Sequence, residues 1–219
     1  MIIFAFYKKK EKMNKRNILP YEDSKRVLAP YYGSLAKAIS ESFADFQNAL
    51  NLISQSVGFL NSEKRTKACM MHDFIQKRIT EIFCEFENTK TNKYNGVFAL
   101  MINEELFIRF NKLNENYCAS GYPTKQSKGY LEQRIIEGFP DKPTFLIAGY
   151  IPDKSWSKLL GVYLVCREGE TIHWVENILN HSSTVQTILP FEASEQKIVE
   201  KRVKVKNQNQ SQFKTGTNN

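Results

Sequence analysis

The stretch RFNKLNENYCASGYPTKQ, from Arg109 to Gln126, gathers side chains that suit an anion. Arg109 offers a planar guanidinium fork and Lys112 and Lys125 offer point charges, while Tyr122 and Thr124 add hydroxyls and Gln126 an amide. A guanidinium, an ammonium and a hydroxyl in one place make a receptor for phosphate or carboxylate. The condition is a loop that folds Thr124, Lys125 and Gln126 back toward Arg109. Pro123 sets a turn there and biases Tyr122 to extended backbone. A plainer reading competes: Arg109 and Lys112 pair at the surface with Glu104, Glu105 or Glu115, where an ion pair contributes about 0–1 kcal/mol. The residue types leave both readings open.

Other candidate chemistry is thinner. His72-Asp73 is half of a metal-dependent phosphohydrolase pair, which needs a second His and Asp on neighbouring helices. The remaining histidines, His173 and His181, fall outside the helical half, so His72 reads as a partly exposed structural histidine. A nuclease site holds Mg²⁺ between carboxylates beside a lysine on one strand face. Glu104 and Glu105 precede LFIRFNK, but Lys112 is seven residues beyond Glu105, and Asp153-Lys154 sits in a connection. No Gly-x-x-x-x-Gly-Lys loop, Gly-x-Ser-x-Gly elbow or His-Glu-x-x-His helix occurs. The cysteines Cys69, Cys84, Cys118 and Cys166 form no Cys-x-x-Cys pair and read as reduced thiols of a cytoplasmic protein. No metal, cofactor or catalytic residue is expected.

The elements that must position these groups follow from hydrophobic period. From Glu22 to about Ser56 apolar residues recur at three- and four-residue steps, with Pro30 ending or kinking a short first helix. After Gly58, Asn61 or Ser62 is a candidate cap for a second helix. Ala68, Met71, Ile75, Ile79, Ile82 and Phe86 form its apolar face. Asn88 to Asn95 reads as a polar loop. Val97–Met101 and Leu106–Phe110 then flank an Asn103-Glu104 turn as a hairpin. In the second run Leu106, Ile108 and Phe110 share one face, and Phe107, Arg109 and Asn111 the other. A short helix is expected within Gly129–Glu137, followed by strands at Thr144–Ile151, Lys158–Arg167 and Thr171–Glu176. The expected fold is α+β: two N-terminal helices on one face of a five-stranded, mostly antiparallel sheet, a hairpin plus a C-terminal meander.

The charge is unevenly spread. The formal net charge is +8, yet residues 1–17 hold six cations and one acid, and residues 197–219 the same, leaving −2 for the residues between. Three segments follow: a basic N-terminal extension at 1–17, one domain at 18–180, and a polar basic tail at 181–219, largely disordered by composition. Such tails either bind nucleic acid without sequence preference or simply solubilise the ends. The opening MIIFAFYKKK has too short an apolar run, in the wrong order, for a signal peptide or a membrane span, and Met13 is an alternative start.

The motifs LFIRFNKL, SGYPTKQ, PTFLIAGYIPD and LLGVYLVCREGETIHWVENI together resemble an uncharacterised family of bacterial and phage mobile elements. Its members are often encoded beside an XRE-type repressor and an ImmA/IrrE-type metallopeptidase. The resemblance rests on Arg109, Phe110 and Lys112; Tyr122, Pro123 and Thr124; Gly149 and Tyr150; Trp174; and Arg65, Thr66, His72 and Asp73, across residues 24–178. It supplies no established activity but implies a mobile-element context, with Arg109 to Thr124 in the family's core pattern; the expected role is that of an accessory regulatory or interaction protein in prophage maintenance, toxin–antitoxin function or stress response. The repressor or the peptidase would be its partner, and the Arg109–Gln126 surface would bind a phosphate-containing ligand or an acidic partner. The alternatives are a nuclease-type toxin and a non-catalytic nucleic-acid binder.

Overall fold

A computed structural model of the chain describes residues 15–58, 63–122 and 124–182. Residues 1–14, the cap expected at Asn61 or Ser62, Pro123 and the tail beyond Ser182 lie outside them. The first helical stretch is divided at Pro30. Helix α1 spans Tyr21–Leu28, a 3₁₀ turn spans Ala29–Tyr31, and α2 spans Tyr32–Val57. Leu35, Ile39, Phe43 and Phe46 line the buried face of α2, each contributing about 1.5–3 kcal/mol by leaving water. Gly58 ends the helix at φ 83°, its N–H donating to the Ser54 carbonyl. Helix α3, Lys64–Phe83, runs back along α2, so that Tyr31 meets Phe83 and Phe86 and the Asp45 carboxylate takes Arg78 Nε at 2.8 Å.

Among the described residues the sheet has six strands rather than five. They are β1 (Thr89–Tyr94), β2 (Val97–Ile102), β3 (Leu106–Lys112), β4 (Thr144–Pro152), β5 (Leu159–Glu168) and β6 (Thr171–Asn177), adjacent in chain order. The added strand is β1, in the segment expected to be a polar loop. Among the described residues it is an edge strand paired only with β2, and its Lys90, Asn92 and Lys93 face water. Asn95 and Gly96, both at positive φ, turn β1 into β2. Asn103 and Glu104, also both at positive φ, make the expected turn into β3.

All neighbouring strands are antiparallel except β3 and β4, which run parallel with Leu106 beside Thr144 and Lys112 beside Tyr150. A parallel pair needs a crossover. Here the crossover contains helix α4, Lys125–Leu131, which starts earlier than expected because Thr124 and Ser127 form a reciprocal cap. Gly129 therefore lies inside the helix instead of opening it.

Both faces of the sheet are covered. Leu106, Ile108 and Phe110 meet the N-terminal helices, as their alternation requires. On the other face Phe107 and Phe145 pack under the crossover, where the Tyr130 ring stacks on Phe145 with centroids 4.2 Å apart. The crossover is pinned by buried Gln133. Its amide donates to the Phe145 and Arg167 carbonyls, and its carbonyl accepts from Phe145 N–H at 2.9 Å. Arg16 belongs to the same layer. It is buried, its guanidinium stacks 3.6 Å from the Phe145 ring, and it donates to the Arg134 and Pro140 carbonyls. Among the described residues no helix is long and apolar enough to cross a membrane.

Candidate functional site

The sheet divides at one end. The β2–β3 ladder stops at Ala99 opposite Arg109. Beyond it Phe98 stays paired with Lys93 of β1, and Phe110 with Ala148 of β4, but not with each other. A cleft of about 670 Å³ occupies this fork, roofed by the first turns of α3 and flanked by the loop at Ser120 and Gly121. Because it opens along the edge of β3 that β2 leaves beyond Arg109, both faces of that strand contribute. Arg109 and Asn111 reach it from the crossover side, Phe110 and Lys112 from the helix side.

The cleft is cationic. Among the described residues Lys64, Arg65, Arg109 and Lys112 line it, against the single carboxylate of Asp73. None of these five groups forms an ion pair among the described residues. Burial, and then the nearby charge of Lys64, hold the Lys112 ammonium below its ordinary pKa. The ammonium also sits 5.1 Å from the Trp156 ring centroid. Burial lowers the Arg109 guanidinium as well, and its nearest compensation is the face of Tyr130 at 4.8 Å. His72, one turn beyond Cys69 on α3, lies over the end of β3 near the Phe110 backbone. Burial holds its imidazole below the ordinary value, and Arg109 and Lys93 push the same way while Asp73 opposes them. Like charges held together without counter-charges are unfavourable unless an anion joins them.

The structure brings together only part of the expected receptor. Arg109 and Lys112 meet in the cleft, whereas Tyr122, Thr124, Lys125 and Gln126 do not line it. Thr124 spends its hydroxyl capping α4, accepting from Ser127 N–H at 3.1 Å. Tyr122 is 88% exposed. Gln126 is half-buried, with its amide nitrogen unpartnered among the described residues. Ser120 takes the loop's place at the fork, its N–H closing on the Lys112 carbonyl at 2.8 Å. Sequence reasoning missed Lys64 as a member of the site, although a signal existed. Lys64-Arg65 opens α3, where the helix dipole disfavours cations.

The carboxylates weighed for a nuclease sit elsewhere or are engaged. Glu104 and Glu105 lie beside Glu87 at the far end of β3 from Lys112. Asp153 accepts from the hydroxyls of Ser155 and Ser157 and the N–H groups of Ser157 and Lys158, closing the β4–β5 turn. Those bonds, led by Ser155 and Lys158, hold its carboxyl far below the usual range. Among the described residues no three His, Cys, Asp or Glu side chains cluster to hold a metal. Compared with protein-family models, curated proteins and solved structures, the chain matches none.

Proposed function

We propose that this chain is a regulatory binding protein that takes a phosphate-containing anion in the fork between β2 and β3. The observation that carries this reading is the set of four cations around one cleft, none paired with a described carboxylate. The residues between the basic ends carry a net −2, so the cluster is not the background of a basic domain. A bound phosphate supplies the missing negative charge and can accept from a guanidinium fork and an ammonium at once. The concave shape favours a small anion over a flat acidic protein surface. The role as accessory to an XRE-type repressor and an ImmA/IrrE-type peptidase belongs to the same proposal and rests on the sequence resemblance.

Thermal unfolding with inorganic pyrophosphate tests the site, with sodium chloride at matched ionic strength as reference. A ligand at a hundred times its Kd stabilises by about 2.7 kcal/mol, which is about 5–11 °C for a domain of this size. Lys112→Ala should remove most of that shift. An identical shift in chloride, or one that survives Lys112→Ala, would sink the reading.

A further inference from the structure

We infer that the fork accepts a nucleoside phosphate, the phosphate held by Lys64, Arg65, Arg109 and Lys112 and the base lying deeper in the cleft. This rests on the anion reading above and names the ligand class. Three observations carry it. First, the cleft of about 670 Å³ is far larger than a phosphate group needs, yet falls within the ordinary range for small organic ligands. Second, its lining is not cationic throughout. Ala68, Val97, Phe98 and Phe110 supply an apolar part that inorganic phosphate leaves unused. Third, polar groups are interspersed in that apolar part. Asn111 and His72 line the same cleft, and the β2–β3 ladder ends at Ala99 and Arg109, with the Lys112 carbonyl beyond it taken by Ser120 N–H. Backbone groups next to a ligand need hydrogen-bond partners. An alkyl chain offers them nothing, whereas the edge of a nucleobase offers donors and acceptors and its faces suit the apolar walls. Burial is the largest cause holding His72 below its ordinary value, and its ring N–H is already directed at the Phe110 carbonyl, so the neutral imidazole offers a base edge its acceptor nitrogen.

Titration calorimetry at fixed ionic strength distinguishes the parts of this claim. The probes are the diphosphates of adenosine, guanosine, cytidine and uridine, inorganic pyrophosphate, the four free nucleosides, and ten-nucleotide single strands of DNA and RNA. At least one nucleoside diphosphate should bind tenfold or more tighter than pyrophosphate, and tighter than its nucleoside. Ala68→Met, which fills the apolar part with a good helix former, should bring that nucleotide down to the affinity of pyrophosphate and leave pyrophosphate itself unchanged. A circular dichroism melt confirms that the variant folds. Should it not fold, Val97→Asn at the opposite wall makes the same comparison. If pyrophosphate binds as tightly as every nucleotide, this inference fails while the anion site stands. If an oligonucleotide binds more tightly than every diphosphate, the site is for a polymer and the inference is overturned. If no phosphate compound binds, both readings fall.

Discussion

Replacing Arg109 with methionine separates a binding cation from a structural one. Methionine keeps an unbranched, flexible side chain and removes the charge. Two effects on the free protein oppose each other. The variant loses the guanidinium contact with Tyr130 at 4.8 Å, about 0.5–2 kcal/mol. It also loses the desolvation that lowers the Arg109 pKa, an unfavourable term of comparable size for a half-buried ion. No described carboxylate pairs with Arg109, so none is stranded by the change. The net change should lie within about 1 kcal/mol of zero, a Tm shift of no more than about 4 °C. Binding behaves differently. A hydrogen bond to a charged group contributes about 1.5–3 kcal/mol, so pyrophosphate affinity should fall about 10- to 150-fold. Circular dichroism melts and calorimetry at constant ionic strength read the two numbers. A Tm fall beyond about 8 °C with unchanged affinity would show that Arg109 is structural and refute the reasoning.

Two further outcomes are expected. The folded pKa of His72 lies below its unfolded value, so its contribution to stability is complete above about pH 6.5 and is lost as pH falls through the folded value. The ligand-free protein should therefore lose stability below that pH, and His72→Gln should remove this part of the loss. Protonated His72 joins Arg109 and Lys93 against Asp73 alone. Sulfate, fully ionised across this range, should then bind more tightly as pH falls, in the wild type but not in the variant. Separately, a Cβ added at Gly149 would overlap the buried side chain of Leu113. Gly149→Ala should cost about 1–3 kcal/mol in urea unfolding, but less than about 1 kcal/mol in a Leu113→Ala background. Equal costs in both backgrounds would show that the overlap is not the cause.

The alternation along β3 was legible because a strand's period of two does not depend on its partners. Leu106, Ile108 and Phe110 had to leave one face and Phe107 and Arg109 the other. Strand β1 was hidden by composition. An edge strand buries little, and TKTNKY carries the polar and cationic residues that protect an edge. The Asn95-Gly96 pair, a strong hairpin signal, was the readable clue. The parallel joint was harder, since burial pattern does not report strand direction. The nearly unbroken burial of TFLIAGYIP is what two covered faces look like. The cleft was not legible at all as a shape. Where a ladder ends depends on how β2 and β3 pair with their outer neighbours, and no local pattern encodes that. The chemistry within it was half legible: Arg109 and Lys112 stood out by type, while the loop residues after them went to capping and to solvent.

The single parallel joint also bears on how the chain reaches this fold. Strands β1 to β3 form one antiparallel run, and β4 to β6 another, each linked by short turns between sequence neighbours. Only the pairing of residues 106–112 with 144–150 spans a long loop. Contacts between near neighbours close quickly, and distant ones carry the larger entropic barrier. The two halves of the sheet are thus local units, and their union is the slow, committing event. Tyr130, whose hydroxyl reaches from the crossover to the Phe107 and Leu146 carbonyls on either side of the joint, is the residue whose bonds complete at that step, while Gln133 ties the crossover to β4 and β5. The fork lies along β3, the strand that also makes the joint, so the cleft is finished only when the two halves have met.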